Sequence, residues 1–185
     1  MDGTLTLSIH DFEAIKLSLG ITDNKPILEA IEDMPPDRAT AALQKLFDIE
    51  MEIAAQATPQ PGATELLEHL LSCNCKVGIL TRNGVDIAHK TLQATALAGY
   101  FETKDILGRE SCAPKPDPAG VHLHLSRWNA TPADSVMVGD YLFDLEAGFR
   151  AGVQTVHLDV ANGEQWPDIT TARVTNLGEL LGLIS

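Results

Sequence analysis

The fold is decided by the stretch SVMVGDYLFD, residues 135–144. Ser135 to Val138 is an apolar run typical of a buried parallel strand, and it ends at Gly139–Asp140. A helix is expected to follow, from about Leu142 to Arg150. Strands of the same kind are predicted at Val77–Thr81, Asp105–Leu107, Val153–His157 and Arg173–Thr175. Repeated β–α units predict an α/β fold with a doubly wound parallel sheet, in which polar chemistry lies at the carboxyl ends of the strands.

Composition and charge narrow the class of protein. The chain has 185 residues, 44% of them hydrophobic, which suits one globular α/β domain with a small insertion. Its formal net charge of −13 repels nucleic-acid phosphates and anionic lipids, so we expect neither nucleic acid nor a membrane as a partner. No apolar run approaches the roughly 20 residues that span a bilayer, and the start does not resemble a signal peptide. We therefore expect a cytoplasmic protein.

The positions of the cysteine and histidine residues do not predict a zinc-binding site. Cys73, Cys75 and Cys112 are odd in number, and the first two lead into a predicted strand, so we expect reduced thiols rather than a zinc site. His122 and His124 lie two apart on a predicted helix and therefore point to different sides.

The amino-terminal third of the chain is predicted to be a helical insertion. Helices are expected at about Ile9–Leu19, Pro26–Ile31 and Asp37–Ala57. The apolar stripe of the third helix is predicted to consist of Leu43, Leu46, Phe47, Ile53 and Ala54. A break rich in proline and glycine at residues 58–62 predicts the return to the main domain. We expect residues 1–6 and 60–185 to form the core domain and residues 7–59 a small helical cap.

Four polar clusters follow apolar runs or lie where a loop begins. They are Asp2-Gly3-Thr4, Thr81-Arg82-Asn83, Lys115-Pro116, and Gly139-Asp140 with Asp144. Each alone fits an ordinary turn or helix N-cap, but all four in this order favour one shared site. Asp140 and Asp144 are expected to face one point, where a repulsion of about 4 kcal/mol at ~4 Å is removed by a divalent cation such as Mg²⁺. Lys115 and Thr81, with the helix that follows Thr81, supply groups that hold a phosphate.

This order of motifs resembles the haloacid dehalogenase-like (HAD) superfamily, subfamily I, along the whole chain. The second half of the family's first motif, D-x-D-G-T, matches MDGTLT at residues 1–6. The second motif, a strand ending in Ser or Thr, matches GILTRN at residues 78–83, and the lysine motif K-P-x-P matches PKPDP at residues 114–118. The fourth motif, G-D-x-x-x-D, matches residues 139–144 in full. The passage AGFRAGV at residues 147–153 is also similar to the family's.

The resemblance implies a Mg²⁺-dependent hydrolase of a small phosphate monoester that works through an aspartyl-phosphate. Asp2 would be the general acid and base, and its main-chain carbonyl would ligate Mg²⁺. Asp140 would bind Mg²⁺ directly and Asp144 directly or through water. The residues implied to hold the phosphoryl oxygens are Thr81, Arg82 through its backbone amide, Asn83 and Lys115. The partner would be a small phosphorylated metabolite, such as a phosphoglycolate-like acid or a sugar phosphate, which His10, Lys16 and Lys25 are candidates to contact from the cap.

The first motif departs from the family pattern. The family's nucleophilic aspartate would lie two residues before Asp2, ahead of Met1, and the first core strand would precede it. Asp2 does not fit as the nucleophile, because Thr4 would then be the acid and base and Leu5-Thr6 would follow it instead of Gly-Thr. We therefore expect a sheet without its central strand and little or no phosphatase activity. Three explanations for the missing nucleophile are a misplaced start codon, a trimmed chain and an inactive relative, and we favour the first. Adding about 10 to 20 upstream residues is therefore expected to restore activity.

Several other functions compete with phosphate hydrolysis. A phosphomutase or phosphonatase of the same superfamily would share the site and differ in the cap, but a phosphonatase also needs a Schiff-base lysine that the sequence does not identify. A dehalogenase would leave the Asp140 and Asp144 pair unexplained. In a receiver-type signalling domain the lysine should follow all the acidic residues, whereas Lys115 precedes both. A non-catalytic relative that retains Mg²⁺ and phosphate affinity is the remaining alternative.

Overall fold

The computed structural model describes residues 1–183 and has an α/β architecture. The amino-terminal helices are α1 (Phe12–Leu19), α2 (Ile27–Glu32) and α3 (Pro36–Ala55). Strands and helices then alternate in the order α4 (Ala63–Ser72), β1 (Ile79–Leu80), α5 (Val85–Ala94), β2 (Ile106–Leu107), α6 (Ala119–Trp128), β3 (Val136–Gly139), α7 (Leu142–Arg150), β4 (Gln154–Leu158), β5 (Ala172–Val174) and α8 (Leu177–Leu183). All named strand pairs are parallel, which confirms the predicted fold class. No helix within residues 1–183 is both long and apolar enough to cross a membrane.

The five strands form two parallel sheets. β1 pairs with β2, while β3 pairs with β4 and β4 with β5. The strand predicted at Val77–Thr81 is reduced to Ile79–Leu80, because β1 has a pairing partner along one edge only. No residue of the described range forms a strand between β1 and β3, as expected of a sheet without its central strand.

A gap of about 380 Å³ lies between β1 and β3, and we call it the slot. Residues 77–80 line one side of it and residues 135–138 line the other. Protein interiors contain few voids larger than a water molecule, so a gap of this size between two strands is unusual. As a result β3 is poorly buried for a strand of this composition, and Val136 is 48% exposed.

Helices cover both faces of the two sheets. One hydrophobic cluster includes Ile79, Leu66, Leu67, Leu158 and Leu180. A second cluster includes Leu80, Leu107, Val121, Leu125 and Ala147. Ile79 and Leu80 are consecutive in β1 and belong to different clusters, because successive side chains of a strand point to opposite faces. Both faces of β1 are therefore buried against apolar side chains, as is usual in parallel sheets.

Helices α1–α3 form a separate helical unit with a hydrophobic cluster of its own, built from Ile15, Leu19, Ile21, Ala30, Ile31, Ala42 and Leu46. The buried residues of α3 are spaced four apart and are Ala42, Leu46, Glu50 and Ala54. The stripe predicted for this helix was therefore wrong in part, since Leu43 and Phe47 are 45% and 38% exposed. The error has a physical cause, because the buried stripe includes an acidic residue that a search for apolar periodicity passes over.

The helical unit is joined to the core by two chain segments that lie side by side. Thr6 forms an antiparallel bridge with Pro59. The Leu7 N–H donates to the Thr58 carbonyl at 3.0 Å, and the Gln60 N–H donates to the Leu5 carbonyl at 2.8 Å. The chain therefore leaves the core and returns to it at one place.

Candidate active site

A cavity of about 430 Å³ lies between the carboxyl ends of β1 and β3 and the helical unit. All seven residues that the sequence singled out for catalysis, phosphate or metal binding line this cavity: Asp2, Thr81, Arg82, Asn83, Lys115, Asp140 and Asp144. They come from four separate segments of the chain and meet because parallel strands end at a common edge. Their individual roles stay predictions.

Asp140 follows β3 and packs against the amino-terminal loop. Its Oδ1 accepts a hydrogen bond from the Thr4 hydroxyl at 2.8 Å. Gly3 has φ +75°, and a Cβ atom there would lie 2.2 Å from Asp140 Oδ2, so only glycine permits this approach. Burial raises the pKa of Asp140, and the Asp144 carboxylate adds to that rise. A cation beside Asp140 would favour its ionised form.

Two neighbours orient the Asp2 carboxylate. The Asn83 side-chain amide donates to Oδ2 at 2.9 Å, and the Thr6 hydroxyl donates to Oδ1 at 3.4 Å. Asn83 is itself held through its backbone N–H, which donates to the Thr81 hydroxyl at 3.1 Å. Sequence reasoning assigned Asn83 to phosphate, and in this structure its side chain contacts Asp2 instead.

Lys115 and Asp144 form a buried ion pair, and each residue is only 6% exposed. The second oxygen of Asp144 accepts a hydrogen bond from the Tyr141 N–H at 3.2 Å, as in a capping box at the start of α7. The sequence predicted Lys115 as a phosphate ligand and Asp144 as a metal ligand. Here each side chain binds the other, so a bound phosphate or metal ion would compete with this pair.

Arg82 connects the helical unit to the core in a way that the sequence did not reveal. Its Nη2 lies 2.7 Å from both carboxylate oxygens of Glu29 in α2, and its Nη1 donates to the Lys115 carbonyl at 2.7 Å. The guanidinium carbon lies 4.8 Å from the centroid of the Phe143 ring. Only the backbone amide of Arg82 was assigned a role from sequence, and no spacing rule relates residue 29 to residue 82.

A second ion pair between the helical unit and the core joins Glu50 of α3 to Arg109. Glu50 is 7% exposed, and burial raises its pKa while the Arg109 guanidinium opposes the rise. Helical spacing in the sequence could have predicted that Glu50 is buried, since it lies four residues after Leu46 and four before Ala54 on one face of α3. A buried carboxylate in turn indicates a basic partner on the core.

The candidate substrate contacts of the helical unit lie in different environments. Lys16 lines the cavity. Lys25 instead pairs with Asp33 at 2.5 Å on the surface, and the His10 ring stacks on Phe12 at 5.5 Å. Of the cavity-lining residues of this unit, Lys16 is therefore the candidate placed to meet a substrate anion.

His124 lies away from the cavity, in the wall of the slot. Its Nε2 is 3.2 Å from the Ile79 carbonyl, its ring stacks on Trp128, and its Nδ1 is buried without a hydrogen-bond partner. Burial lowers the pKa of this imidazole. All three cysteines are free thiols.

The donors around Asp140 suit a hard cation. Within residues 1–183, no three acidic, histidine or cysteine side chains converge closely enough to cage a metal ion by themselves. Mg²⁺ does not need such a cage, because it usually binds one or two carboxylates and keeps water and substrate phosphate as its other ligands. Asp140 and Asp2 line the same cavity and fit that pattern.

Together these features describe an α/β protein with a Rossmann-like parallel core and an acidic, lysine-containing cavity at its strand ends. The sequence profile of the haloacid dehalogenase-like hydrolases matches residues 7–158, and the chain belongs to that family. A haloacid dehalogenase-like hydrolase domain-containing protein of Arabidopsis thaliana is 35% identical over 184 residues, which cover 91% of this chain and 71% of the relative. Pyrophosphatase PpaX of Bacillus velezensis is 36% identical over 91 residues, or 49% of this chain and 42% of that protein.

A solved structure shares the fold of this chain. The crystal structure of a putative phosphoglycolate phosphatase from Lactobacillus plantarum superposes with a TM-score of 0.78, at 18% identity, over 99% of this chain and 95% of that one. At this level of identity the likeness establishes the fold. The resemblance read from the four motifs is therefore confirmed at the level of the family, and with it the assignment of the chain to the hydrolases.

Proposed function

We propose that this protein is a Mg²⁺-dependent hydrolase of a small phosphate monoester, acting through an aspartyl-phosphate. The observation that carries the proposal is the meeting of Asp2, Lys115, Asp140 and Asp144 at one cavity between the strand ends and the helical unit. Three carboxylates, a lysine and the start of a helix around one point are the parts that phosphoryl transfer requires. The pyrophosphatase and the putative phosphoglycolate phosphatase among the similar proteins support a phosphorylated substrate.

In the proposed reaction Lys115 binds the phosphoryl oxygens together with the Thr81 hydroxyl and the Arg82 backbone amide. Lys115 is buried and already paired with Asp144, so the substrate phosphate takes the place of one carboxylate oxygen as its partner. The lysine stays neutralised in either state, which lowers the cost of keeping it buried. Asp144 then becomes free to bind Mg²⁺ directly or through water.

Asp2 is the proposed general acid and base. It gives its proton to the leaving alkoxide and later takes a proton from the attacking water. The hydrogen bonds from Asn83 and Thr6 fix the direction of its carboxylate without occupying all of its lone pairs. Mg²⁺, held by Asp140 and the Asp2 main-chain oxygen, would neutralise charge on the phosphoryl group during transfer.

The nucleophile of this proposal is an aspartate two positions ahead of Asp2, a position that the 185-residue sequence does not include. We therefore predict little or no turnover by residues 1–185 on their own. Residues 1–185 are nevertheless predicted to bind phosphate in the presence of Mg²⁺, because Lys115 and Asp140 both line the cavity. Binding and turnover can accordingly be tested separately.

The helical unit is proposed to act as a cap that closes over the cavity and excludes water. The contacts of Glu29 with Arg82 and of Glu50 with Arg109 hold it against the core. A cavity of about 430 Å³ suits a small substrate, and Lys16 is the candidate to contact an acidic group on it.

Calorimetry with inorganic phosphate and Mg²⁺, followed by an aryl phosphate assay, tests the proposal. Phosphate binding should require Mg²⁺ and fall at least about 10-fold in Asp140→Asn, while Asp168→Asn, at an exposed aspartate, serves as the matched control. Phosphate binding that ignores both Mg²⁺ and Asp140→Asn would contradict the proposed metal site. Robust turnover by residues 1–185 would contradict the assignment of the nucleophile.

A further inference from the structure

Two aromatic side chains lie between Asp140 and Asp144 in the sequence and line the candidate active-site cavity. They are Tyr141 and Phe143, and their ring centroids lie 5.2 Å apart at an interplanar angle of 87°. Such an edge-to-face arrangement is a preferred geometry for aromatic pairs. The proposed reaction uses the two carboxylates of this segment and leaves the aromatic residues between them without a role.

The Tyr141 ring is held in place by its neighbours and is still accessible. The Trp166 ring lies 5.8 Å away at an angle of 79°, so Tyr141 contacts a second ring edge to face. The Tyr141 N–H donates to Asp144 Oδ2 at 3.2 Å, which fixes the backbone of this residue beside the predicted metal site. Tyr141 is nevertheless 52% exposed. A ring that is already fixed in position can accept a further ring at a low cost in conformational entropy.

The part of the cavity wall that the helical unit supplies is largely apolar. Its apolar residues are Phe12, Pro26, Ile27, Leu28 and Leu46. Polar residues of the same unit also line the cavity, but Glu50 among them is already paired with Arg109. A leaving group rich in hydroxyls would therefore lose more hydrogen bonds to water than this wall replaces, whereas an apolar leaving group would be desolvated favourably.

The groups that would hold a phosphate lie on the opposite side of the cavity. Lys115 and Asp140 both belong to the core, and Lys115 is buried, so a phosphate held by them lies deep at the strand ends. The rest of a substrate then extends toward the helical unit. Because Tyr141 directly follows Asp140 and lines the same cavity, its ring lies beside the path of the leaving group.

We propose that Tyr141 and the apolar wall of the helical unit form a subsite for an aromatic leaving group, so that the substrate is a phosphate monoester of a phenol-like alcohol. This inference rests on the proposed function, since Lys115 and Mg²⁺ must hold the phosphate. The aromatic ring of the substrate packs on the exposed part of the Tyr141 ring and is covered by apolar side chains such as Phe12 and Ile27. A saturated ring of similar size would bury a comparable area but would lack the aromatic contact.

Calorimetry with four phosphate monoesters and residues 1–185 in the presence of Mg²⁺ tests the proposal. The probes are methyl, glycerol, cyclohexyl and phenyl phosphate at about pH 8, where each is a dianion. Because little or no turnover is predicted for residues 1–185, the measured heats report binding. Phenyl phosphate should bind about 10-fold more tightly than methyl or glycerol phosphate, and about 3- to 10-fold more tightly than cyclohexyl phosphate. Equal affinities for phenyl and glycerol phosphate, or for phenyl and cyclohexyl phosphate, would overturn the proposal.

Variants at two exposed aromatic residues show whether Tyr141 is responsible. Tyr141→Leu keeps an apolar side chain and the N–H that donates to Asp144, so it should abolish only the preference for phenyl over cyclohexyl phosphate, while Tyr141→Phe should retain that preference. The matched control is Phe149→Leu, because Phe149 lies at the other end of α7, is 56% exposed and does not line the cavity. A Tyr141→Leu protein that keeps the preference, or a Phe149→Leu protein that loses it, would overturn the assignment.

The same measurements separate this inference from the proposed function. If all four monoesters bind equally, require Mg²⁺ and lose affinity in Asp140→Asn, the proposed function stands and the aromatic subsite fails. If phenyl phosphate binds best through Tyr141 but needs neither Mg²⁺ nor Asp140, the aromatic subsite stands and the proposed metal site fails. If no monoester binds, both proposals fail.

Discussion

The buried ion pair between Lys115 and Asp144 offers a quantitative test of the site. Each residue is 6% exposed, so Lys115→Met would leave the Asp144 carboxylate buried with only the Tyr141 N–H as a partner. Removing one member of a buried pair typically costs about 3 to 5 kcal/mol, because the remaining charge is uncompensated. For a domain of this length that corresponds to a fall in melting temperature of roughly 6 to 20 °C.

The matched control is Lys104→Met. Lys104 pairs with Glu102 at 2.8 Å, but both side chains are at least 60% exposed, so little stability should be lost. Urea unfolding at pH 7 measures both variants, and the double variant Lys115→Met/Asp144→Leu should recover part of the loss, since no buried charge remains. A Lys115→Met protein that unfolds with the same free energy as Lys104→Met would refute the assignment of a desolvated pair.

Three further predictions concern the cap contact, the amino-terminal loop and the wall of the slot. Glu29→Gln should change the free energy of unfolding by less than about 1 kcal/mol, because the Glu29 side chain is 40% exposed. It should nevertheless speed proteolysis of the helical unit, because it removes the carboxylate that binds Arg82. An unchanged cleavage rate would show that this ion pair does not hold the helical unit against the core. Gly3→Ala should lower Mg²⁺ affinity at least about 10-fold in calorimetry, since its Cβ would displace Asp140 from 2.2 Å away at a φ of +75°. The pKa of His124 is lowered from 6.5 by burial, so the unfolded state takes up its proton first and stability should fall as pH drops below 6.5. That slope, at most about 1.4 kcal/mol per pH unit, should be smaller in His124→Gln when unfolding is measured between pH 7.5 and 5.5.

The strand and helix order was predictable because each element carries its own local signal. The apolar run before Gly139–Asp140 and the helix after it appear where the sequence placed them, at β3 and α7. At α1 the predicted start was early, because Asp11 caps the helix by accepting a hydrogen bond from the Ala14 N–H, and the helix begins at Phe12.

The convergence of the predicted site residues followed from the topology of a parallel sheet, but their pairing did not. That Lys115 binds Asp144, and Asn83 binds Asp2, depends on side-chain directions that a one-dimensional pattern does not contain. The contact between Glu29 and Arg82 depends on how the helical unit lies on the core, which is set by the packing of many surfaces at once.

The paired entry and exit segments of the helical unit have a consequence for how such proteins diversify. Because Thr6 and Pro59 are bridged, the ends of everything between them are already brought together by the core. A different insert of similar end-to-end spacing could be joined at this junction without changing the pairing of the strands, but it would remove the Glu29 carboxylate that binds Arg82. A chimaera exchanged at this junction should therefore keep the core strands, and its stability would report how much the pairs of Arg82 with Glu29 and of Arg109 with Glu50 contribute.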